Sequence, residues 1–380
     1  MGATMIPIAR PLMGANELDA ISRVLTSGQL AQGQQVATFE QRFAEVCQVK
    51  EAIALSSGTA ALHLALLAHG IGPGDEVITT PFSFAATANT ILLVGAKPVF
   101  VDIEPDTYNI DPALVEAAIT PRTKAIMPVH LYGNPSDMDR LGQLAEAHHL
   151  ILIEDACQAH AANIRGKPVG SFGTGCFSFY ATKNITTGEG GMITTNDPEI
   201  AERVRLLRSH GQQHRYHHIA NGYNLRMTDI QGALGVAQLE KLETWTEQRI
   251  ANATRLTAGL QEWVKTPVTR PGYRHVYHQY TIWVDGDRDT WIRALAERGI
   301  GTAVHYPCPI HQQPFYQQQG FQMSLPIAEA AAQQILSLPV HPAISDEDVT
   351  TIIQEVSQYA SESGRDRRRV DGPEPSARPA

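Results

Sequence analysis

Between residues 50 and 210 short apolar, β-rich runs alternate with helical runs. The runs at 52–55, 77–80, 99–102, 125–129, 150–154, 176–179 and 192–195 predict strands. Several are apolar on both faces, the mark of a mostly parallel sheet covered by helices. Amphipathic segments at 59–69, 111–118 and 137–148 predict helices between the early strands. The pattern defines an α/β layered domain. A helical run at 228–256 follows, then a strand-like stretch at 278–284 and helices near 289–298, 327–336 and 346–359. These predict a smaller α+β domain. The expected division is a large domain over 1–245, a small domain over 246–360 and a disordered tail over 361–380. That tail holds five arginines, four acids and three prolines, with no aromatic residue.

Composition narrows the classes. Hydrophobic residues make up 43% of the 380 and the net charge is −9. This supports a sizeable core and argues against a nucleic-acid partner, which needs a basic face. No apolar run is long enough to span a bilayer, and the first residues do not read as a secretory signal. Cys47, Cys157, Cys176 and Cys308 are scattered and form no paired motif. They read as structural thiols of a cytoplasmic protein.

Chemistry concentrates at strand ends. The strand at 150–154 runs into Asp155, and Gln158 follows three residues on. About 25 positions later the run Phe-Tyr-Ala-Thr-Lys-Asn at 179–184 delivers Lys183 into a Gly-rich stretch, Thr-Thr-Gly-Glu-Gly-Gly at 186–191. A buried ammonium is costly unless neutralised or bonded. A lysine and a carboxylate at neighbouring strand ends suit pyridoxal phosphate: the lysine forms a Schiff base and the carboxylate holds the pyridine nitrogen protonated. The segment Leu-Ser-Ser-Gly-Thr-Ala-Ala-Leu at 55–62 passes from strand through a small-residue turn into a helix. Ser56 or Ser57 can cap that helix, and free N–H groups near Gly58 and Thr59 can bind phosphate. Ser178 can add a hydroxyl. Phe84, just past another strand end, can stack on a planar ring, or pack under a helix. His210, His214, His217 and His218 cluster within nine residues. With no accompanying cysteines or carboxylates they read as a solvated or substrate-facing loop, and no metal site is expected. His305, Tyr306 and His311 are candidates for contact with a polar substrate.

Together these residues resemble the DegT/StrS family of nucleotide-sugar aminotransferases, within the fold-type I pyridoxal phosphate enzymes. The resemblance runs from about Ile6 to Tyr359. It is carried by the motifs at 56–62, 154–160 and 179–184, by Asp-Ile-Glu-Pro-Asp-Thr-Tyr-Asn-Ile-Asp at 102–111 and Pro-Val-His-Leu-Tyr-Gly at 128–133, and by Gly-Tyr-Asn-Leu-Arg-Met-Thr-Asp-Ile-Gln at 222–231 and His-Tyr-Pro-Cys-Pro-Ile-His-Gln-Gln-Pro at 305–314. Cys157 stands where the family often has alanine, and Ala161 where glycine is common. The resemblance implies a large domain with a mixed, mostly parallel sheet, a smaller C-terminal domain, and a homodimer with shared active sites. It makes Lys183 the covalent anchor of the cofactor and Asp155 the partner of its ring nitrogen. Gln158 approaches the ring oxygen, Phe84 stacks on the ring, and Gly58, Thr59 and Ser178 hold the phosphate. Asn224 reaches the phosphate from the other subunit, a role that the nearby Arg226 can share. His305, Tyr306 and Arg226 would meet the substrate, a keto sugar on a nucleoside diphosphate, with glutamate as donor. Three rivals are a cyclitol aminotransferase, a sugar dehydratase (whose members replace the lysine with histidine), and a non-enzymatic regulator on the same scaffold.

Overall fold

All seven predicted strands form one sheet in the computed structural model, which describes residues 5–370. They are β1 (Glu51–Leu55), β2 (Glu76–Thr79), β3 (Lys97–Phe100), β4 (Thr123–Met127), β5 (Ile151–Asp155), β6 (Thr174–Ser178) and β7 (Gly191–Thr195). The order across the sheet is β1-β7-β6-β5-β4-β2-β3. Neighbours from β6 through β5, β4 and β2 to β3 are parallel, whereas β7 runs antiparallel to both β1 and β6. Strands β2, β6 and β7 are buried on both faces, which is why they read without an alternation of apolar and polar positions.

The helix predicted at 59–69 is Gly58–Ala68, but it is not amphipathic. Ala61, Leu62, Leu64, Ala65 and Leu66 are all buried, because the helix is sandwiched between the sheet and the helices Ala86–Leu93 and Pro198–Arg208. The run at 228–256 is two helices, Asp229–Leu239 and Leu242–Leu260. At the break, Lys241 Nζ lies 2.5 Å from Oε1 of the buried Glu17, which also accepts from Gln238 Nε2 at 2.8 Å. That ion pair recruits Glu17 from an N-terminal helix, Ala15–Ser27, absent from the sequence reading. A second, Gln34–Cys47, buries Val36, Phe39, Phe43 and Cys47. Their spacing is helical and visible in the sequence. Asp229 fixes the start of this helix by accepting from Gly33 N at 2.7 Å and Val36 N at 3.0 Å.

The C-terminal unit has its own core, with Leu256, Leu260, Ile282, Leu295, Leu336 and Ile352 buried together. It contains an antiparallel pair, Tyr280–Trp283 and Ile335–Leu338. Ile6 joins this core and bridges to Ile300. The last helix begins at Asp346 and continues to Val370, so it enters the segment expected to be a tail; residues 371–380 of that expectation lie outside the described residues. Among the described residues no helix is long and apolar enough to cross a membrane, and the four cysteines are free thiols.

Candidate active site

The carboxyl ends of the parallel strands meet at one edge, the usual place for a ligand in an open α/β sheet. Here they surround a cavity of about 560 Å³. Of the residues singled out in the sequence, Gly58, Thr59, Phe84, Asp155, Gln158, Ser178, Lys183, His305 and Tyr306 all line it.

Asp155 is the last residue of β5. Its Oδ2 accepts from Thr87 Oγ1 at 2.8 Å, and its Oδ1 accepts from Cys157 N at 3.2 Å. Ser83 Oγ lies 2.9 Å from the Thr87 hydroxyl, extending the chain of donors. These bonds fix the position of the carboxylate at the strand end. Neighbouring Glu154 points to the opposite face. It is fully buried and accepts from Gly170 N, Phe172 N and Gly173 N at 2.8, 2.9 and 3.0 Å. His130 completes its shell. His130 Nδ1 accepts from Ser136 N at 3.0 Å, so its Nε2 carries the proton that points at Glu154, 3.1 Å away.

Lys183 enters from the loop that joins β6 to β7. Ser178 pairs with Gly191 across that antiparallel ladder. Phe179 N donates to Gly190 O at 2.9 Å, and Lys183 N to Tyr180 O at 2.9 Å. Loss of hydration lowers the affinity of the Lys183 amine for a proton, partly offset by Cys157 and Asp155.

The turn after β1 forms the opposite wall. Ser57 Oγ accepts from Ala60 N at 3.1 Å, so Ser57 is the cap. A Cβ on Gly58 would come within 2.7 Å of Ser178 Cβ and 3.0 Å of Cys157 Sγ. Only glycine allows the helix start to approach β6 this closely. Gln158 is wedged between two units of the fold: Oε1 accepts from Tyr132 N at 2.7 Å and Nε2 donates to Tyr306 OH at 3.1 Å. Phe84 is 60% exposed at the mouth, its ring 6.2 Å from that of Tyr306, rather than packed under a helix. Burial, reinforced by Lys183, pushes the proton affinity of His305 down to a pKa of about 4, leaving the ring neutral.

Three candidates lie elsewhere. Asn224 is exposed and Arg226 half-exposed, and neither lines the cavity of its own chain. They flank Leu225, whose carbonyl accepts from Ser56 N at 2.9 Å. His311 is corrected as a substrate contact: it is fully buried, with Nε2 3.1 Å from Glu329 Oε1. The loop of four histidines is largely exposed, with the rings of His214 and His217 stacked at 4.4 Å. The sequence reading missed Thr87, Glu189, His278 and Gln279 in the cavity wall. Ala161, where a glycine is common in the resemblance, takes φ of 64°, a left-handed conformation that favours glycine.

The donor set fits pyridoxal phosphate. A glycine cradle at a helix start, where a side chain would collide, can take the phosphate. A carboxylate with fixed donors and a poorly hydrated lysine amine face the same space. Fold and cleft together suit an enzyme of the pyridoxal phosphate type.

Comparison with known proteins names the family. Residues 11–357 match the DegT/DnrJ/EryC1/StrS aminotransferase family, and the chain belongs to it. A "pleiotropic regulatory protein" of Geobacillus stearothermophilus is 45% identical over 89% of this chain and 93% of its own length. The dTDP-3-amino-3,4,6-trideoxy-alpha-D-glucose transaminase of Streptomyces venezuelae is 42% identical over 90% of this chain and 91% of its own. GDP-perosamine synthase of Caulobacter vibrioides is also 42% identical, over 93% and 98%. The crystal structure of S. venezuelae DesV with a ketimine intermediate superposes with a TM-score of 0.90 at 40% identity, covering 93% of this chain and 99% of that one.

Proposed function

We propose that this protein is a pyridoxal phosphate-dependent aminotransferase that moves an amino group, from glutamate, onto a keto sugar carried by a nucleoside diphosphate. The observation that carries the reading is the convergence of Lys183 and Asp155 on one cavity beside the Gly58 cradle. Relatives named for dTDP- and GDP-sugars support the substrate class, and their equal identity favours neither nucleotide.

The cofactor, when bound, supplies a carbonyl that captures amines and a ring that accepts electrons. Gly58, Thr59 and Ser178 would hold its phosphate, and Phe84 would stack on the ring. Asp155, held in place by Thr87 and by the Cys157 N–H, would hold the proton on the ring nitrogen. Lys183 Nζ, with its weakened hold on a proton, lifts the proton from the donor's α-carbon as a base and returns a proton as an acid. Gln158 and Tyr306 orient the ring side of the cleft. His305, neutral and half-sheltered, meets the sugar as a hydrogen-bonding group rather than as a charge.

The cavity wall of one chain offers Lys183 as its cation, against the carboxylates of Asp155 and Glu189. The ligands proposed for it are anions. This balance supports a homodimer in which the exposed Asn224 and half-exposed Arg226, both outside their own cavity, complete the partner's site. The reading places the enzyme in the cytoplasm. The intact Lys183 and Asp155 argue against a purely regulatory role, despite the name of the Geobacillus relative.

The test is to convert the purified protein to its amine-loaded form with glutamate and offer it 3-keto and 4-keto nucleotide sugars, a cyclitol ketone, pyruvate and oxaloacetate. A nucleotide-linked ketone should restore the aldehyde form with the highest kcat/KM. A simple 2-oxo acid outperforming every nucleotide-linked ketone would move the protein to the amino acid aminotransferases.

A further inference from the structure

Two small hydroxyl residues, a threonine and a serine, interrupt the apolar pattern of two strands in the C-terminal unit. Thr281 and Ser337 are register partners across the pair Tyr280–Trp283 and Ile335–Leu338. They are 2% and 0% exposed. Tyr280, Ile282, Leu336 and Leu338 alternate with them and point into the C-terminal core. The hydroxyl face therefore looks the other way, toward the cleft. A buried hydroxyl needs a partner, and here the partners form a chain. Thr281 Oγ1 is 3.0 Å from Ser337 Oγ, and Ser337 Oγ is 3.1 Å from His305 Nδ1. The backbone reinforces the contact: Ser337 N donates to Ala303 O at 2.8 Å. The buried phenol of Tyr132 donates to the carbonyl of His305.

We propose that Ser337, backed by Thr281, is the positioning residue for His305: it holds the imidazole by Nδ1 and leaves Nε2 as the nitrogen that meets the acceptor sugar. This rests on the reading of the cleft as a sugar site. A neutral ring carries one proton, so Nε2 either donates or accepts according to what Nδ1 does. Ser337 can satisfy Nδ1 in both senses, because its hydroxyl can donate to the ring while accepting from Thr281, or accept from the ring while donating to Thr281. His305 can thus answer a sugar hydroxyl as acceptor or as donor without stranding a buried polar atom. Tyr132 fixes the backbone from which the ring projects.

The experiment compares wild-type protein with Ser337→Ala, Thr281→Val and Thr281→Ser. Histidine ring nitrogens are observed by NMR in the cofactor-free protein, with His305 assigned by the loss of its signals in His305→Gln. Ser337→Ala should change the His305 tautomer balance while the Tm stays within a few degrees. In the loaded enzyme it should raise KM for the accepted nucleotide-linked ketone about tenfold and leave the glutamate half-reaction unchanged. Thr281→Val should produce the same changes to a smaller degree, and it stands in if Ser337→Ala does not fold. Thr281→Ser should behave as wild type. Unchanged His305 signals in Ser337→Ala, or in Thr281→Val if that variant stands in, would overturn the proposal. So would an equal loss in both half-reactions, the signature of a general structural defect. If the wild type accepts no nucleotide-linked ketone, the substrate reading fails, while the NMR comparison still decides the role of Ser337.

Discussion

Thr87 donates its hydroxyl to Asp155 across a 2.8 Å bond, from a helix that begins 69 residues before the aspartate in the chain. The bond fixes the carboxylate in place, and a hydrogen bond to a charged group contributes about 1.5–3 kcal/mol. Thr87→Val keeps the shape and removes the donor. It should lower kcat by roughly 10- to 100-fold, with a smaller effect than Asp155→Asn. Single-turnover rates with glutamate measure both. An unchanged rate in the threonine variant would show that the bond only packs the helix.

Gly58→Ala tests the cradle. The added methyl meets Ser178 Cβ at 2.7 Å and the Cys157 sulfur at 3.0 Å. Overpacking of this kind costs about 1–3 kcal/mol, and the strain falls where the helix start faces the cleft. Cofactor affinity, measured by equilibrium dialysis, should weaken about tenfold or more. Affinity equal to wild type would place the phosphate elsewhere.

Lys183→Met should abolish turnover and leave the protein folded. Its effect on stability has a defined sign. The amine holds its proton less tightly in the cofactor-free fold than its ordinary value of 10.5. The charged form is thus disfavoured by folding, and the cost is fully present below the lowered value. It fades as pH rises from there toward 10.5. Cofactor-free Lys183→Met should therefore melt higher than cofactor-free wild type at pH 7, with the gap closing as pH approaches that value. A gap that widens with pH would contradict the buried-amine assignment.

Complementation tests the shared site. Lys183→Ala and Asn224→Ala subunits are mixed and allowed to exchange. If Asn224 serves the partner's cleft, each heterodimer carries both lesions in one site and neither in the other. Activity should then exceed that of either parent. No recovery despite exchange seen by mass spectrometry would confine the site to one chain.

What the sequence revealed and what it hid divide along a physical line. Asp155 and Lys183 were legible because each ends or follows a solidly apolar strand, where a charge stands out. Gly58 was legible because a strand-to-helix turn of small residues is a local pattern. Thr87 was not, since nothing near it in the chain announces Asp155. The largely buried helix Gly58–Ala68 defeated the amphipathic reading because helices cover the face that would have been polar. At the break after Leu239, Lys241 pairs with Glu17, more than two hundred residues earlier in the chain. His311 looked like its neighbour His305, and only Glu329 and the surrounding core separate their fates.

The reversed direction of β7 has a consequence for how the cleft meets its ligand. Because β6 and β7 are antiparallel neighbours, the segment carrying Lys183 turns back at the ligand edge without a crossover helix. Hydrogen bonds close it at its base, Ser178 against Gly191 and Phe179 against Gly190. The chain entropy of that segment is lost when the sheet forms, not when a ligand arrives. An arriving cofactor therefore meets a lysine already confined, and less of its binding energy is consumed in ordering the protein.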